Sequence, residues 1–249
     1  MITRRGVSAI QWLALCSALA ACTAQSPDPR VEQFARLPDW RGIWVPEGQV
    51  AGVSGFSQAS PPLVGGDAPW TDAASAKGVA AFQSQGTRKA TGWGYPLMMD
   101  CSAPLQFMIT PEETLIVNMY RDVRHVYTDG RSHTPEDERW VTTWGDSVGR
   151  WEGDMLVIDT VSVTDPQKFF FLAPPLSEQA HYTERLRKVG PDRIDSEITI
   201  EDPVALTAPW VTKVTYVRQP GLDRLLHDDF VNDRSEVKGD TFTIAPPKQ

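Results

Sequence analysis

Cysteine is scarce in this 249-residue chain: Cys16, Cys22 and Cys101 are the whole set. Three thiols cannot build a disulfide framework, so a hydrophobic core must hold the fold. No apolar run reaches the roughly twenty residues that span about 30 Å of hydrocarbon, which excludes a permanent transmembrane helix. Lys and Arg are outnumbered 24 to 32 and nowhere cluster. The chain therefore lacks the electrostatic footprint of nucleic-acid binding, and protein charge alone will not hold it on anionic lipid. No Gly-x-Ser-x-Gly elbow, phosphate loop, dinucleotide fingerprint or His-Glu-x-x-His run occurs. The commonest hydrolase, kinase, dehydrogenase and zinc-protease chemistries lose their signatures, and no cofactor is implied.

What is present begins with Arg4-Arg5, an apolar stretch from Ile10 to Leu19, and the closing run Leu19-Ala20-Ala21-Cys22. A positive segment, a short apolar segment and small residues before a cut are the anatomy of an export signal. The last four residues resemble a bacterial lipobox. That resemblance implies cleavage before Cys22, a lipid on Cys22, and anchorage at the periplasmic face of the cell envelope, with the outer membrane as the expected site. Two alternatives stay open: ordinary cleavage at Ala18-Leu19-Ala20, which would release a soluble periplasmic protein, and twin-arginine export through Thr3-Arg4-Arg5-Gly6-Val7. Removing residues 1–21 takes two arginines away. Lys plus Arg falls from 24 to 22 against 32 acidic residues, and the formal charge moves from −8 to −10. Membrane contact would then come from acyl chains, each buried CH₂ contributing about 0.8 kcal/mol.

Residues 22–38 are mostly polar, with Pro27, Pro29 and Pro38, and read as a lipidated tether. The folded domain is expected over 39–249. A Gly, Ser and Pro-rich loop spans 46–69. One helix is expected at 71–85, capped by Thr71 or Asp72 and favoured by Ala73, Ala76, Ala80 and Ala81. Past Cys101 come short runs rich in β-branched and aromatic residues, punctuated by turns. Strands are expected at 40–45, 104–110, 114–120, 123–128, 139–144, 155–163, 179–189, 193–200 and 210–218. Asp129-Gly130, Glu152-Gly153-Asp154 and Gly190-Pro191-Asp192 supply tight turns.

Strand 193–201 alternates, with Ile194, Ile198 and Ile200 on one face and Asp195, Glu197 and Glu201 on the other. Strand 155–163 differs, since Leu156 and Ile158 oppose a face that is also apolar apart from Asp159. A strand dry on both sides points to an all-β protein: one antiparallel barrel of about eight to nine strands with one flanking helix. Tyr127-Thr128-Asp129-Gly130-Arg131, together with the run from Gly145 to Thr160, resembles motifs shared by a family of uncharacterised secreted Gram-negative proteins. The resemblance spans roughly residues 100–210 and implies a common fold. Gly42-Ile43-Trp44 resembles the Gly-x-Trp opening of lipocalin-like barrels.

Functional groups concentrate between Arg121 and His133 and between Trp144 and Thr160. Asp159 sits on a mostly apolar strand, where desolvation would favour its protonated form and suit it to acid–base work. Its structural alternative is a buried carboxylate paired with Arg121, Arg124 or Arg150. His125 and Tyr127 alternate onto one face and are expected to line the interior, with Arg121 or Arg124 stabilising developing negative charge. On strand 179–189, Glu184 shares a face with Tyr182 and Leu186 and could point inward, whereas His181 falls on the solvated side. A metal site is not expected: if Asp129-Gly130 closes a two-residue hairpin, His125 and His133 lie on opposite faces.

The expected function is binding of a small apolar or aromatic molecule inside the barrel, with cofactor-free isomerase, hydratase or lyase chemistry on it. A second expectation is a non-catalytic envelope scaffold that docks a partner through Trp140, Trp144 or Trp151. A third is glycan hydrolysis by Asp146 and Glu152, which requires carboxylates about 5 to 9.5 Å apart.

Overall fold

The computed structural model describes residues 28–48, 67–83, 93–100, 104–120, 122–170, 173–225, 235–238 and 241–244. The signal segment, Cys22, Cys101, Arg121 and most of the 46–69 loop lie outside the described residues.

Nine strands close into a barrel: β1 (Trp44–Pro46), β2 (Leu105–Ile109), β3 (Glu113–Asn118), β4 (Val123–Tyr127), β5 (Asp146–Glu152), β6 (Met155–Val161), β7 (His181–Gly190), β8 (Arg193–Glu201) and β9 (Trp210–Arg218). Trp44 closes the cylinder by pairing with both Leu105 and Arg218. Two further strands, β10 (Ser235–Lys238) and β11 (Thr241–Ile244), pair antiparallel as a separate two-stranded sheet. The all-β barrel expected from the strand pattern is what the chain forms.

Four local expectations need correction. The strand expected at 139–144 lies instead at 146–152, because Gly153-Asp154 turns β5 back onto β6 from Glu152↔Met155 to Asp146↔Val161. The barrel is also not wholly antiparallel, since β4 and β5 run parallel and meet at Tyr127↔Val148. Asp129-Gly130 therefore does not close a hairpin. The Asp129 carboxylate accepts from Arg131 N at 3.1 Å and grips the Arg131 guanidinium at 2.6 Å, and the chain runs on through residues 131–145. A parallel partner demands such a return crossover. Lastly, residues 29–35 of the expected tether form α1 (Pro29–Ala35), with Asp28 capping Arg30 N at 2.9 Å. Gln33 donates to Trp151 O and Arg30 to Asp129 O, so α1 lies against the barrel.

The flanking helix, α2 (Asp72–Gln83), is capped by the Thr71 hydroxyl, which accepts from Ala74 N at 3.3 Å. It is tied to the rim by Lys77, which reaches Asp165 at 2.8 Å and Leu176 O at 3.1 Å. Among the described residues no helix is long and apolar enough to cross a membrane.

Alternation sorts the barrel wall. Leu105, Phe107, Ile116, Val126, Leu156, Ile158, Leu186, Ile194, Ile198, Ile200, Val214 and Tyr216 are buried and form the core. Into it the segment Trp93–Asp100 inserts as a plug, with Trp93, Tyr95, Leu97, Met98 and Met99 all buried. The Tyr216 hydroxyl donates to Met99 O, and Tyr95 packs edge-on against Tyr182 at 4.9 Å between ring centroids. Such close-packed aliphatic and aromatic side chains contribute about 1.5 to 3 kcal/mol each.

Candidate functional site

The strand parity places the expected groups differently from one another. On β4, Arg124 and Val126 point inward and are fully buried, which sends His125 and Tyr127 outward. The interior placement expected for those two is thus corrected: His125 is 52% exposed and meets Glu113 at 3.1 Å, and the Arg131 guanidinium covers the Tyr127 ring at 4.1 Å. On β6, Leu156, Ile158 and Thr160 take the inner face, so Asp159 also sits outside, half-buried. Neither Arg124 nor Arg150 pairs with it. Arg124 alone of the expected set faces the lumen, and Arg121 is not described.

Asp159 is held between two histidines. Its Oδ1 lies 2.7 Å from His133 Nε2 and its Oδ2 2.8 Å from His181 Nε2. Beyond them, His133 Nδ1 lies 3.5 Å from Asp146, and His181 Nδ1 lies 3.5 Å from Glu201. Carboxylates and imidazoles thus alternate from the crossover across β6 and β7 to the end of β8. Asp146 also accepts from Thr134 N at 2.7 Å, so the chain pins the crossover to the barrel wall. No group of three or more His, Cys, Asp or Glu among the described residues has a metal-holding geometry.

The lumen carries its own polar cluster. Arg124 and Glu184 are fully buried and meet end-on, Nη2 to Oε2, at 2.5 Å. The same Nη2 donates to Thr160 Oγ1 at 2.8 Å, and Nε and Nη2 lie 3.4 and 3.3 Å from Ser147 Oγ. The guanidinium stacks on Tyr95 at 4.0 Å. Desolvation is the largest influence and opposes the Arg124 charge, but Glu184, Tyr95 and Tyr216 together outweigh it and its pKa is raised. Burial, with Glu184 beside it, pushes the Tyr95 hydroxyl well above the usual phenol range. Glu184 faces inward as its parity with Tyr182 and Leu186 indicates. Tyr95 carries no signal in the sequence, because it arrives from a segment outside the strand pattern.

Between the crossover and the outer face of β4 and β5 lies a groove of about 380 Å³, lined by Val123, His125, Tyr127, Trp140, Trp144 and Ser147 among others. Trp140 is 76% exposed, and Trp144 packs its inner edge on the core. The floor is the β4–β5 seam. Gly149 permits that close approach, since a Cβ there would meet Val126 Cγ1 at 2.8 Å. Ser147 belongs to both regions, bordering the groove while it contacts Arg124 within the barrel. A second cavity, about 280 Å³, lies where Phe34, Leu37 and Trp40 meet Phe107 and Ile109.

The glycan-hydrolysis expectation fails on geometry. Asp146 and Glu152 occupy opposite ends of β5. Six residues of extended chain separate them by about 20 Å, and Glu152 is engaged by Arg150 and Arg185. No family model matches this chain, and no curated protein does.

Proposed function

We propose that this protein is a lipoprotein of the cell envelope, anchored through Cys22, whose barrel binds a small apolar or aromatic molecule in the groove over the β4–β5 seam. The observation that carries this reading is the groove itself. Its volume of about 380 Å³ falls in the range of small-ligand pockets, roughly 300 to 1,000 Å³. Tyr127, Trp140 and Trp144 supply aromatic walls, and His125, Thr134, Glu138, Arg139 and Asp146 supply polar groups that would orient a ligand. An indole as exposed as Trp140 is a surface that a bound ring would cover. The site moves from the lumen to the groove because the plug and inward side chains occupy the interior positions described. Acid–base work on such a ligand falls to His125 and Tyr127, which line the groove. Asp159 and Arg124 do not line it.

Exposed Trp140 beside Val141, which is 42% exposed, also suits docking of a partner protein, and one experiment separates the two. Mass spectrometry of small molecules that co-purify with the native lipoprotein should find a hydrophobic compound whose retention is lost in Trp144→Ala. No retained compound, together with a partner protein lost in Trp140→Ala, favours docking and overturns the ligand reading. The anchor is tested separately by Cys22→Ser, which should release the protein from the membrane fraction.

A further inference from the structure

Asp146 on β5, His133 on the crossover, Asp159 on β6, His181 on β7 and Glu201 on β8 form one row across the outer wall, at successive distances of 3.5, 2.7, 2.8 and 3.5 Å. Among the described residues, no Lys or Arg forms an ion pair with any of its three carboxylates. The next charges on the same strand faces are Arg150, Arg185 and Glu197, the first two engaged with Glu152 and the third with Lys213. On the crossover, Arg131 is engaged with Asp129, Arg139 donates to Thr134 O, and Glu136, Asp137 and Glu138 are exposed. Only the imidazoles can balance the row. A neutral imidazole has one N–H and one lone pair. With each Nε2 donating to Asp159, a neutral ring turns its Nδ1 lone pair toward a second carboxylate, Asp146 for His133 and Glu201 for His181. His133 Nδ1 is buried without a hydrogen-bond partner. An imidazolium donates from both nitrogens and so matches a carboxylate at each end. With both rings neutral the row carries three negative charges, and with both protonated it carries one.

His133 is also where the crossover is fastened. Its neighbour Thr134 donates N–H to Asp146 Oδ2 at 2.7 Å, and Thr134, Asp146 and Trp140 all line the groove. We propose that the row is a proton-operated latch on the groove: protons taken up by His133 and His181 draw residues 133–134 against Asp146 and Asp159, set the Trp140 wall over the β4–β5 seam, and tighten binding of the aromatic ligand. The inference rests on the groove reading above. Acid closes the latch, and loss of the protons leaves the His133 lone pair facing Asp146 and loosens it. Linkage makes the effect reciprocal, so ligand binding takes up protons. Because both rings share Asp159, the two protonations belong to the pair rather than to either histidine.

Amide hydrogen exchange reads the latch without any ligand. In the intact protein the protection factor of the Thr134 amide, relative to core amides of β8, should rise at least about threefold between about pH 8 and about pH 5, the range over which an imidazole changes its charge. 2-Naphthol, whose hydroxyl keeps its proton throughout that range, should bind at least about threefold more tightly at the acid end. His133→Gln keeps an N–H for Asp159 but cannot be charged, so it should abolish both responses. A pH-dependent affinity that survives in this variant belongs to His125, which also lines the groove, and counts against the latch. Should the variant not fold, Asp159→Asn, which keeps both imidazoles and removes the charge between them, should cut both responses by about half or more. Thr134 protection or 2-naphthol affinity that ignores pH in the parent protein overturns the proposal. No binding of 2-naphthol at either end overturns the groove reading instead, and the Thr134 response then still decides the latch.

Discussion

Replacing Glu184 with Gln keeps the side chain's shape and removes its charge beneath the plug, leaving the Arg124 guanidinium in a fully buried site without a counter-ion. Breaking a buried pair from one side costs about 3 to 5 kcal/mol, because the surviving charge is already out of water. Against a total stability of about 5 to 15 kcal/mol that is a large share. For a domain of this size each kcal/mol moves the melting temperature by about 2 to 4 °C, so a fall of roughly 6 to 20 °C is expected. Removing both charges, as Arg124→Met with Glu184→Leu, should cost less than either single change, since no orphaned charge remains. Urea unfolding followed by far-UV circular dichroism measures Glu184→Gln alongside Arg124→Met, Glu184→Leu and their double, and the last three with the parent protein close the cycle that gives the coupling energy. Raising salt from low to moderate ionic strength should leave that coupling unchanged, because screening acts weakly on a buried pair. The exposed Arg150–Glu152 pair is the control. If Glu184→Gln costs no more than breaking that pair, under about 1 kcal/mol, the lumen is wet and the account of its polar cluster is wrong.

Gly149→Ala should destabilise the barrel by about 1 to 3 kcal/mol through overpacking, since its Cβ would press on Val126 and Thr128; loss of amide protection at Tyr127 and Val148 locates the damage at the seam. Asp122 is half-buried and its pKa is raised, mainly by desolvation, against bonds from Asn118 and Trp93 that lower it. The native state therefore holds this proton more tightly than the unfolded chain. Its charge opposes folding with an effect absent below the unfolded value of 3.8, growing as pH rises, and complete above the native pKa. Asp122→Asn should remove that component from the stability-versus-pH curve, and an unchanged curve would refute it. Asp159→Asn should cost about 1 kcal/mol at this half-exposed position, and speed hydrogen exchange at Thr134 more than at core amides of β8.

Much of the barrel is legible where one periodicity dominates. Ile194, Ile198 and Ile200 face inward as their alternation with Asp195, Glu197 and Glu201 requires. β5 escapes that signal, because Asp146, Ser147, Gly149, Arg150 and Glu152 are poor strand formers and its inner face presents small Ser147 and Gly149 at the seam, with Trp151 its one large apolar side chain. The inner and outer faces of β6 are ambiguous for a related reason: Val157 is buried on the outer side just as Leu156 and Ile158 are on the inner. Asp159 was therefore readable as unusual but not as outward. Along β4, hydropathy favours burying Tyr127 over Arg124, and the lumen reverses this by offering Glu184, Thr160 and the Tyr95 ring to the guanidinium. Those partners come from β7, β6 and the plug, and a pairing across that sequence distance leaves no local trace. The same holds for His133 and His181, which meet at Asp159 only because the crossover returns along the outer wall.

The groove is the central claim, and a titration read by ¹H–¹⁵N NMR tests it most directly. With 2-naphthol as ligand, the indole N–H signals of Trp140 and Trp144 should shift saturably and together, and Trp144→Ala should abolish binding while the barrel's amide spectrum stays intact. Shifts confined to other tryptophans, or none that saturate, would contradict the proposed site.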